Sequence, residues 1–330
     1  MSKTFKAAVY ETHGNPAEVL HVVDCPWPEP APNEVIVKMS AAPINPADLN
    51  SIEGKYAIKP ELPATPGMEG AGVVVEVGSA VRNFTVGTQV ILPHGFGTWR
   101  EVAVLAADTL VAVPSEIDPI QAAMLKVNPI TAWRVLHDFV SLRPGDWLIQ
   151  NAANSGAGQC VIQIARELGY KTVNVVRRTE LVDELRALGG DVVLIDGENL
   201  RDEVAAATQR APIRLALNAV GGDNALRVAK CLASDGTMVT YGAMSLEPLC
   251  IPNGMLIFKN LRFTGFWVNK WYDAATPQQR EETFAPLFEM AKRGLLRTKV
   301  EKTYPLSDAK AAIKHASHNK RSGKIVFVMC

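Results

Sequence analysis

The sequence is without several features that whole classes of protein require. No apolar run reaches 18 residues, which argues against a membrane-spanning helix of ordinary length. No C-x-x-C pair occurs. The five cysteines (Cys25, Cys160, Cys231, Cys250 and Cys330) are scattered and odd in number, so they suggest neither a disulfide framework nor a zinc lobe and read as buried thiols of a reducing compartment. Net charge is absent too: 34 Lys and Arg against 34 Asp and Glu leave no global basic field for nucleic acid, so any anionic ligand must be met locally. The six histidines are dispersed, and His315 with His318, sharing one expected helix face, read as a solvated pair rather than as ligands. Internal repeats and low-complexity tracts are also missing. An alternating strand begins at residue 5, which leaves no room for a targeting peptide and sets the expectation of a soluble cytoplasmic protein.

What is present begins with length. At 330 residues and 48% hydrophobic content, two domains with separate cores are expected. The organising stretch is 146–178, D-W-L-I-Q-N-A-A-N-S-G-A-G-Q-C-V-I-Q-I-A-R-E-L-G-Y-K-T-V-N-V-V-R-R, which reads as strand, tight small-residue turn, amphipathic helix and second strand. That is the layout of a dinucleotide-binding βαβ unit. The segment Ala153-Asn154-Ser155-Gly156-Ala157-Gly158 stands in the place of G-x-G-x-x-G, keeping Gly156 and Gly158 and filling the first and third positions with Ala and Ser. Small residues there let the backbone approach a pyrophosphate, whose charge rests on the N–H groups of the helix start. An ordinary α/β turn is the plainer alternative. At the end of the second strand, where an NAD site places a carboxylate for the ribose 2′-hydroxyl, this chain has Arg177 and Arg178. Guanidinium attracts a 2′-phosphate, so NADPH is the expected cofactor; a solvated basic helix start is the alternative.

The remaining texture is bipartite. Up to about residue 120, short alternating runs at 7–10, 34–39 and 72–77 lie between Pro and Gly turns, the pattern of an irregular β-rich domain. From there a helix is expected at 120–139, then alternating strands and helices with strands at 147–152, 172–176, 192–195, 215–219, 237–241 and 262–266, implying a doubly wound parallel sheet. A helix at 277–293 and a final strand at 324–329 return to the first texture, so the expected domains are 1–121 with 268–330, and 122–267.

In that frame the whole chain resembles the medium-chain dehydrogenase/reductases, and within them it is most similar to the mitochondrial-type 2-enoyl thioester reductases. The resemblance rests on N-P-A-D-L-N (45–50), G-K-Y (54–56), P-E-L-P-A (60–64), G-T-W-R (97–100), V-N-P-I-T-A (127–132), N-A-A-N-S-G-A-G-Q (151–159), N-V-V-R-R (174–178), L-N-A-V-G-G (217–222), M-V-T-Y-G-A-M (238–244) and F-K-N-L-R-F-T-G-F-W (258–267). It implies a GroES-like β-rich catalytic domain beside a Rossmann domain, a homodimer, and NADPH-dependent reduction of trans-2-enoyl-CoA or enoyl-acyl carrier protein, with no membrane or nucleic-acid partner. Quinone or other activated-alkene reduction, and cofactor binding without catalysis, are the rival readings. The zinc-dependent branch of the superfamily uses a G-H-E motif and nearby Cys. Here Met68 stands in G-M-E, with Asn45 and Asp48 where the Cys would fall, so no metal is expected. The resemblance places Tyr56 on the family's catalytic tyrosine, which would stabilise or protonate the forming enolate; a loop tyrosine packing its ring on the domain is the alternative. For the cofactor the resemblance implies Asn154, Ser155, Gly156, Ala157, Arg177 and Arg178, then Asn128, Tyr241-Gly242-Ala243-Met244, Phe266-Trp267-Val268 and Lys324. Individually each of these has a bland alternative: a helix cap for Asn128, a glycine turn for 241–244, core for 266–268, an exposed lysine for Lys324.

Overall fold

The computed structural model describes residues 3–318 and 321–329, so Cys330 lies outside the described residues. By internal contacts the chain divides into two units, Met1–Val127 with Ala285–Cys330, and Asn128–Phe284. The second division falls within the helix Pro277–Lys292, and the expected boundaries stand at 121/122 and 267/268.

The first unit is built on Glu34–Pro43, whose alternation gives way to small apolar residues because nearly all of it is buried. It pairs antiparallel with Ala71–Val77, Val102–Ala106 and the late strand Lys324–Val328. Beyond Lys324–Val328 lies Val300–Tyr304, parallel to it, so the tail forms a strand-helix-strand crossover through Ala309–Ala316. Trp99 and Phe327 meet edge to face in the core, with ring centroids 5.1 Å apart.

The second unit carries six parallel strands. Across the sheet they run Val192–Ile195, Lys171–Val176, Trp147–Gln150, Ile213–Asn218, Thr237–Thr240 and Arg262–Gly265, which in chain order is 3-2-1-4-5-6. The order reverses between Trp147–Gln150 and Ile213–Asn218, the switch point at whose carboxyl strand ends open α/β sheets bind their ligands. The helix expected at 120–139 is two pieces, Pro119–Ala122 and Asn128–His137. Its interruption has a specific cause, given below.

Two smaller expectations change. Among the described cysteines only Cys160 is buried; Cys25 and Cys231 are half-buried and Cys250 is exposed. His315 is not simply solvated, since it is hydrogen-bonded between Tyr304 Oη (3.0 Å) and Glu301 Oε1 (2.8 Å), tying the crossover helix to Val300–Tyr304. No helix among the described residues is long and apolar enough to cross a membrane.

Candidate functional site

The turn after Trp147–Gln150 is shaped by backbone geometry. Ala152 takes a left-handed φ of 46°, a strained choice for a residue with a side chain, and turns the chain toward Ser155. Ser155 caps the helix Gly156–Glu167 by accepting from the Gly158 amide at 3.1 Å. A Cβ on Gly158 would stand 2.7 Å from the Ala153 carbonyl and 2.8 Å from that of Ala152, so only glycine lets the helix start this close to the turn. The positions Asn154, Ser155, Gly156 and Ala157 therefore form a helix N-terminus reached through small residues, which is the anion cradle the sequence suggests.

Behind the turn lies an amide network that sequence reading missed. Asn151 and Asn218 are fully buried. Asn151 Nδ2 donates to Asn218 Oδ1 (2.7 Å) and Asn224 Oδ1 (2.6 Å), while Asn151 Oδ1 accepts from the Ala219 amide (2.7 Å). Asn218 Nδ2 continues to Thr240 Oγ1 at 3.1 Å. The network fastens the carboxyl ends of strands one, four and five together at the switch point. Its one sequence signal is a polar residue closing each apolar run, in L-I-Q-N and L-A-L-N.

The other second-unit residues expected at the cofactor follow strand ends. Arg177 is exposed after Lys171–Val176, and Arg178 lies 3.5 Å from Glu180. The nearby acid, Asp196, is engaged by Arg227 through a two-pronged contact at 2.8 and 2.6 Å. Burial raises the Asp196 carboxyl, but hydrogen bonds from Arg227 and Asn224 and the charges of Arg227 and Arg177 outweigh it and hold the carboxyl below its ordinary value. With that negative charge matched by Arg227, Arg177 keeps a positive field at the strand end. The Tyr241 hydroxyl is buried, faces Ser155 and makes no hydrogen bond of ordinary geometry, and burial pushes its phenol above the usual range. Gly242 and Ala243 lead on to Met244, which is largely exposed. Phe266 sets its ring edge-on to Phe139, while Trp267 precedes the helix Val268–Ala274, of which Val268 is buried. Asn128 opens its helix with Nδ2 buried and unpartnered, as is Gln150 Oε1. Unmatched buried polar atoms are costly in a finished fold and mark where a polar ligand completes it. The cradle, the arginine and these orphan atoms fit a dinucleotide with a 2′-phosphate.

Tyr56 and Lys324 belong to the first unit. Tyr56 follows the helix Pro46–Ile52, is half-buried, and has its amide bonded to the Asn50 carbonyl at 3.1 Å. Close by in sequence begins a buried ionic cluster. Asp48, Glu69, Lys126 and Asn45 are each at most 4% exposed. Asp48 accepts from the Asn45 amide (2.7 Å) and the Met68 amide (2.8 Å); Glu69 accepts from Asn45 Nδ2 (2.8 Å) and the Val127 amide (2.9 Å). Lys126 Nζ donates to the Met68 carbonyl at 3.1 Å, and Lys324 Nζ to Asn45 Oδ1. Burial pushes the Asp48 carboxyl up to about 7, raises Glu69, and pulls Lys126 down to about 7, the charges of Glu69 and Asp48 opposing that last shift. Zinc does not fit this donor set: His and Cys are missing, both carboxylates accept backbone and amide hydrogens, and an ammonium already fills the space. Among the described residues no group of three or more His, Cys, Asp and Glu side chains is placed to hold a metal ion.

Residues 31–115 match the family model of the alcohol dehydrogenase GroES-like domain, and residues 156–288 that of zinc-binding dehydrogenases. The chain is 44% identical, over 98% of its length and 95% of the relative's, to the mitochondrial enoyl-[acyl-carrier-protein] reductase of Xenopus tropicalis. To the human protein of that name it is 43% identical over 98% of this chain and 88% of that one. Its fold superposes, with a TM-score of 0.90 and 30% identity over 99% of this chain and 100% of that one, on the mitochondrial 2-enoyl thioester reductase of Candida tropicalis, described as a heterodimer. The same agreement holds for a complex of that reductase with NADP and crotonyl-CoA. Escherichia coli quinone oxidoreductase with NADPH follows at 0.87 and 27%, over 98% and 99% of the two chains. The expectation of a cytoplasmic location is overturned, because these curated relatives are named mitochondrial. Compartment is carried by removable address segments that the fold does not record, and the first residue of this sequence bears no information on them.

Proposed function

The chain belongs to the enoyl thioester reductases of the medium-chain dehydrogenase/reductase superfamily, and from that we infer that it reduces the α,β double bond of trans-2-enoyl thioesters with NADPH. The observation that carries this reading is the agreement over 99% of the chain with an enzyme solved with NADP and crotonyl-CoA. Bound NADPH supplies a hydride to the β-carbon of the substrate. What this chain supplies is position and charge. The helix start at Ser155–Gly158 meets pyrophosphate, Arg177 and Arg178 meet the 2′-phosphate, and Asn128 offers its unpartnered amide to the ribose beside the nicotinamide. Tyr56 holds a proton at its hydroxyl. As negative charge develops on the thioester, that hydroxyl donates a hydrogen bond to the oxygen or passes the proton to the α-carbon, and solvent restores it.

Purified protein should oxidise NADPH with crotonyl-CoA, one butyryl-CoA formed per NADPH consumed, and should do so undiminished after exhaustive chelation. Turnover confined to a simple quinone would transfer the assignment to the quinone reductases, and loss of turnover with stoichiometric zinc would restore a metal to the site. The arginines set the cofactor. Losing charge-assisted contacts to the 2′-phosphate costs on the order of 1.5–3 kcal/mol, about tenfold or more. Arg177→Ala with Arg178→Ala should therefore raise KM for NADPH by that factor while leaving KM for NADH nearly unchanged; equal use of both cofactors by the unmodified protein would contradict the assignment.

We further propose that the chain self-associates. Leu246, Ile257 and Phe258 are 87, 70 and 84% exposed, and Arg262–Gly265 is the edge strand of the six-stranded sheet. Exposed large apolar side chains and an open strand edge favour a second copy, a homodimer with joined sheets. Sedimentation equilibrium should give twice the chain mass, and Phe258→Asp should shift it to the monomer.

A further inference from the structure

The charged cluster of the first unit ends at a chosen place. Its last hydrogen bond, from the Val127 amide to Glu69 Oε2 at 2.9 Å, holds the residue immediately before Asn128, and Asn128 carries the orphan Nδ2. The helical texture from 120 is broken here by Pro129, which has no N–H to continue a helix and stands at the start of a new one, and in the break Lys126 turns its side chain into the cluster while Val127 gives its N–H to a carboxylate. Glu69 cannot swing away, since its second oxygen accepts from Asn45 Nδ2 at 2.8 Å and its own carbonyl accepts from Thr98 Oγ1 at 2.7 Å. Asn45 in turn is held by Lys324, and Lys126 is held by the Met68 carbonyl.

We propose that Glu69, braced by Asn45 and Lys126, is a positioning residue for the cofactor: it fixes Val127 so that Asn128 presents its amide to the ribose beside the nicotinamide. The proposal uses the space a catalytic metal takes elsewhere in the superfamily as a clamp on the chain entering the nucleotide-binding unit. It rests on the NADPH assignment above.

Glu69→Gln isolates the effect. A carboxylate accepts from both Asn45 Nδ2 and the Val127 amide, whereas a carboxamide can accept through one oxygen and sets an N–H against the other donor. NADPH affinity, read directly from the fluorescence of the bound cofactor, should fall about tenfold in Glu69→Gln and by a similar factor in Asn128→Ala. If Glu69 acts through Asn128, the double variant should bind NADPH no more weakly than the weaker-binding single one, because contacting residues couple and independent ones add. At saturating NADPH, kcat of Glu69→Gln should stay within about threefold of the parent, as the loss is in binding rather than in the chemical step. An additive double variant, near a hundredfold, would overturn the proposal, as would a folded Glu69→Gln that binds NADPH within twofold of the parent. Should Glu69→Gln fail to fold, Glu69→Asp serves instead: the shorter carboxylate keeps the charge but withdraws from the Val127 amide, and the same coupling to Asn128→Ala decides. Because binding is measured without substrate, a protein inactive on crotonyl-CoA but coupled in this cycle would lose the reductase assignment and keep the clamp.

Discussion

Replacing Tyr56 by Phe should lower kcat for crotonyl-CoA by at least about a hundredfold while NADPH affinity stays nearly the same. The substitution removes one hydroxyl and keeps the ring, so packing at this half-buried position persists and the loss falls on the chemical step. A positioned acid or hydrogen-bond donor acting on developing charge is worth about 10²–10⁴-fold. The donor set around Asp48 and Glu69 does not fit a metal that could polarise the thioester, and the proposed function gives that task to the phenol. Stopped-flow measurement of NADPH oxidation reads the step directly. A Tyr56→Phe protein within about threefold of the parent rate, with chemistry limiting turnover, would assign the charge to another group.

Trp99→Ala should produce the largest loss of stability. The side chain is fully buried, Nε1 donates to the Pro43 carbonyl at 3.3 Å, and the ring meets Phe327 edge to face at 5.1 Å. Truncating a buried Trp to Ala costs about 3–5 kcal/mol, from lost transfer energy and the cavity left behind. At roughly 2–4 °C per kcal/mol for a unit of this size, calorimetry of the cofactor-free protein should place the first unit's transition about 10 °C lower. Trp99→Phe keeps much of the volume and the aromatic pair, so it should cost less than half as much. A Trp99→Ala melt within about 3 °C of the parent would mean that the core closes over the gap.

The parallel sheet was the most legible part of the chain, since strands buried on both faces read as short apolar runs bounded by turns. Even there the expected strand at 147–152 stops at Gln150, because Ala152 takes a left-handed φ and turns the chain toward the helix start. The nucleotide turn was legible from its small residues, although the reason Gly158 is required appears only when the Ala152 and Ala153 carbonyls are seen 2.8 and 2.7 Å from its missing Cβ. The helix over 120–139 was misread for a different reason. I-Q-A-A-M-L-K-V-N-P-I-T-A-W has helical texture apart from Pro129, the local signal of a new helix start, and the turn before it is held by a carboxylate 58 residues away in sequence. No local window contains that partner. The same distance hid the cluster: Asn45, Asp48, Met68, Lys126 and Lys324 are ordinary polar or flexible residues until the sheet brings them together. Lys324 read as a cofactor lysine, and its ammonium is found donating to Asn45.

The position of the last strand also sets a schedule for synthesis. Lys324–Val328 is not an edge but an inner strand, lying between Val300–Tyr304 and Glu34–Pro43, with Val326, Phe327 and Val328 opposite Pro43, Ala42 and Ala41. A ribosome adding about 5–20 residues per second needs roughly 15–60 s to travel from residue 43 to residue 328. Throughout that interval the nascent first unit shows an unpaired strand edge and an open place beside Trp99, while the six strands of the second unit, continuous in the chain, can assemble as they emerge. The unit begun first is thus finished last, and through that interval the nascent chain carries an unpaired strand edge, the kind of surface that invites aggregation.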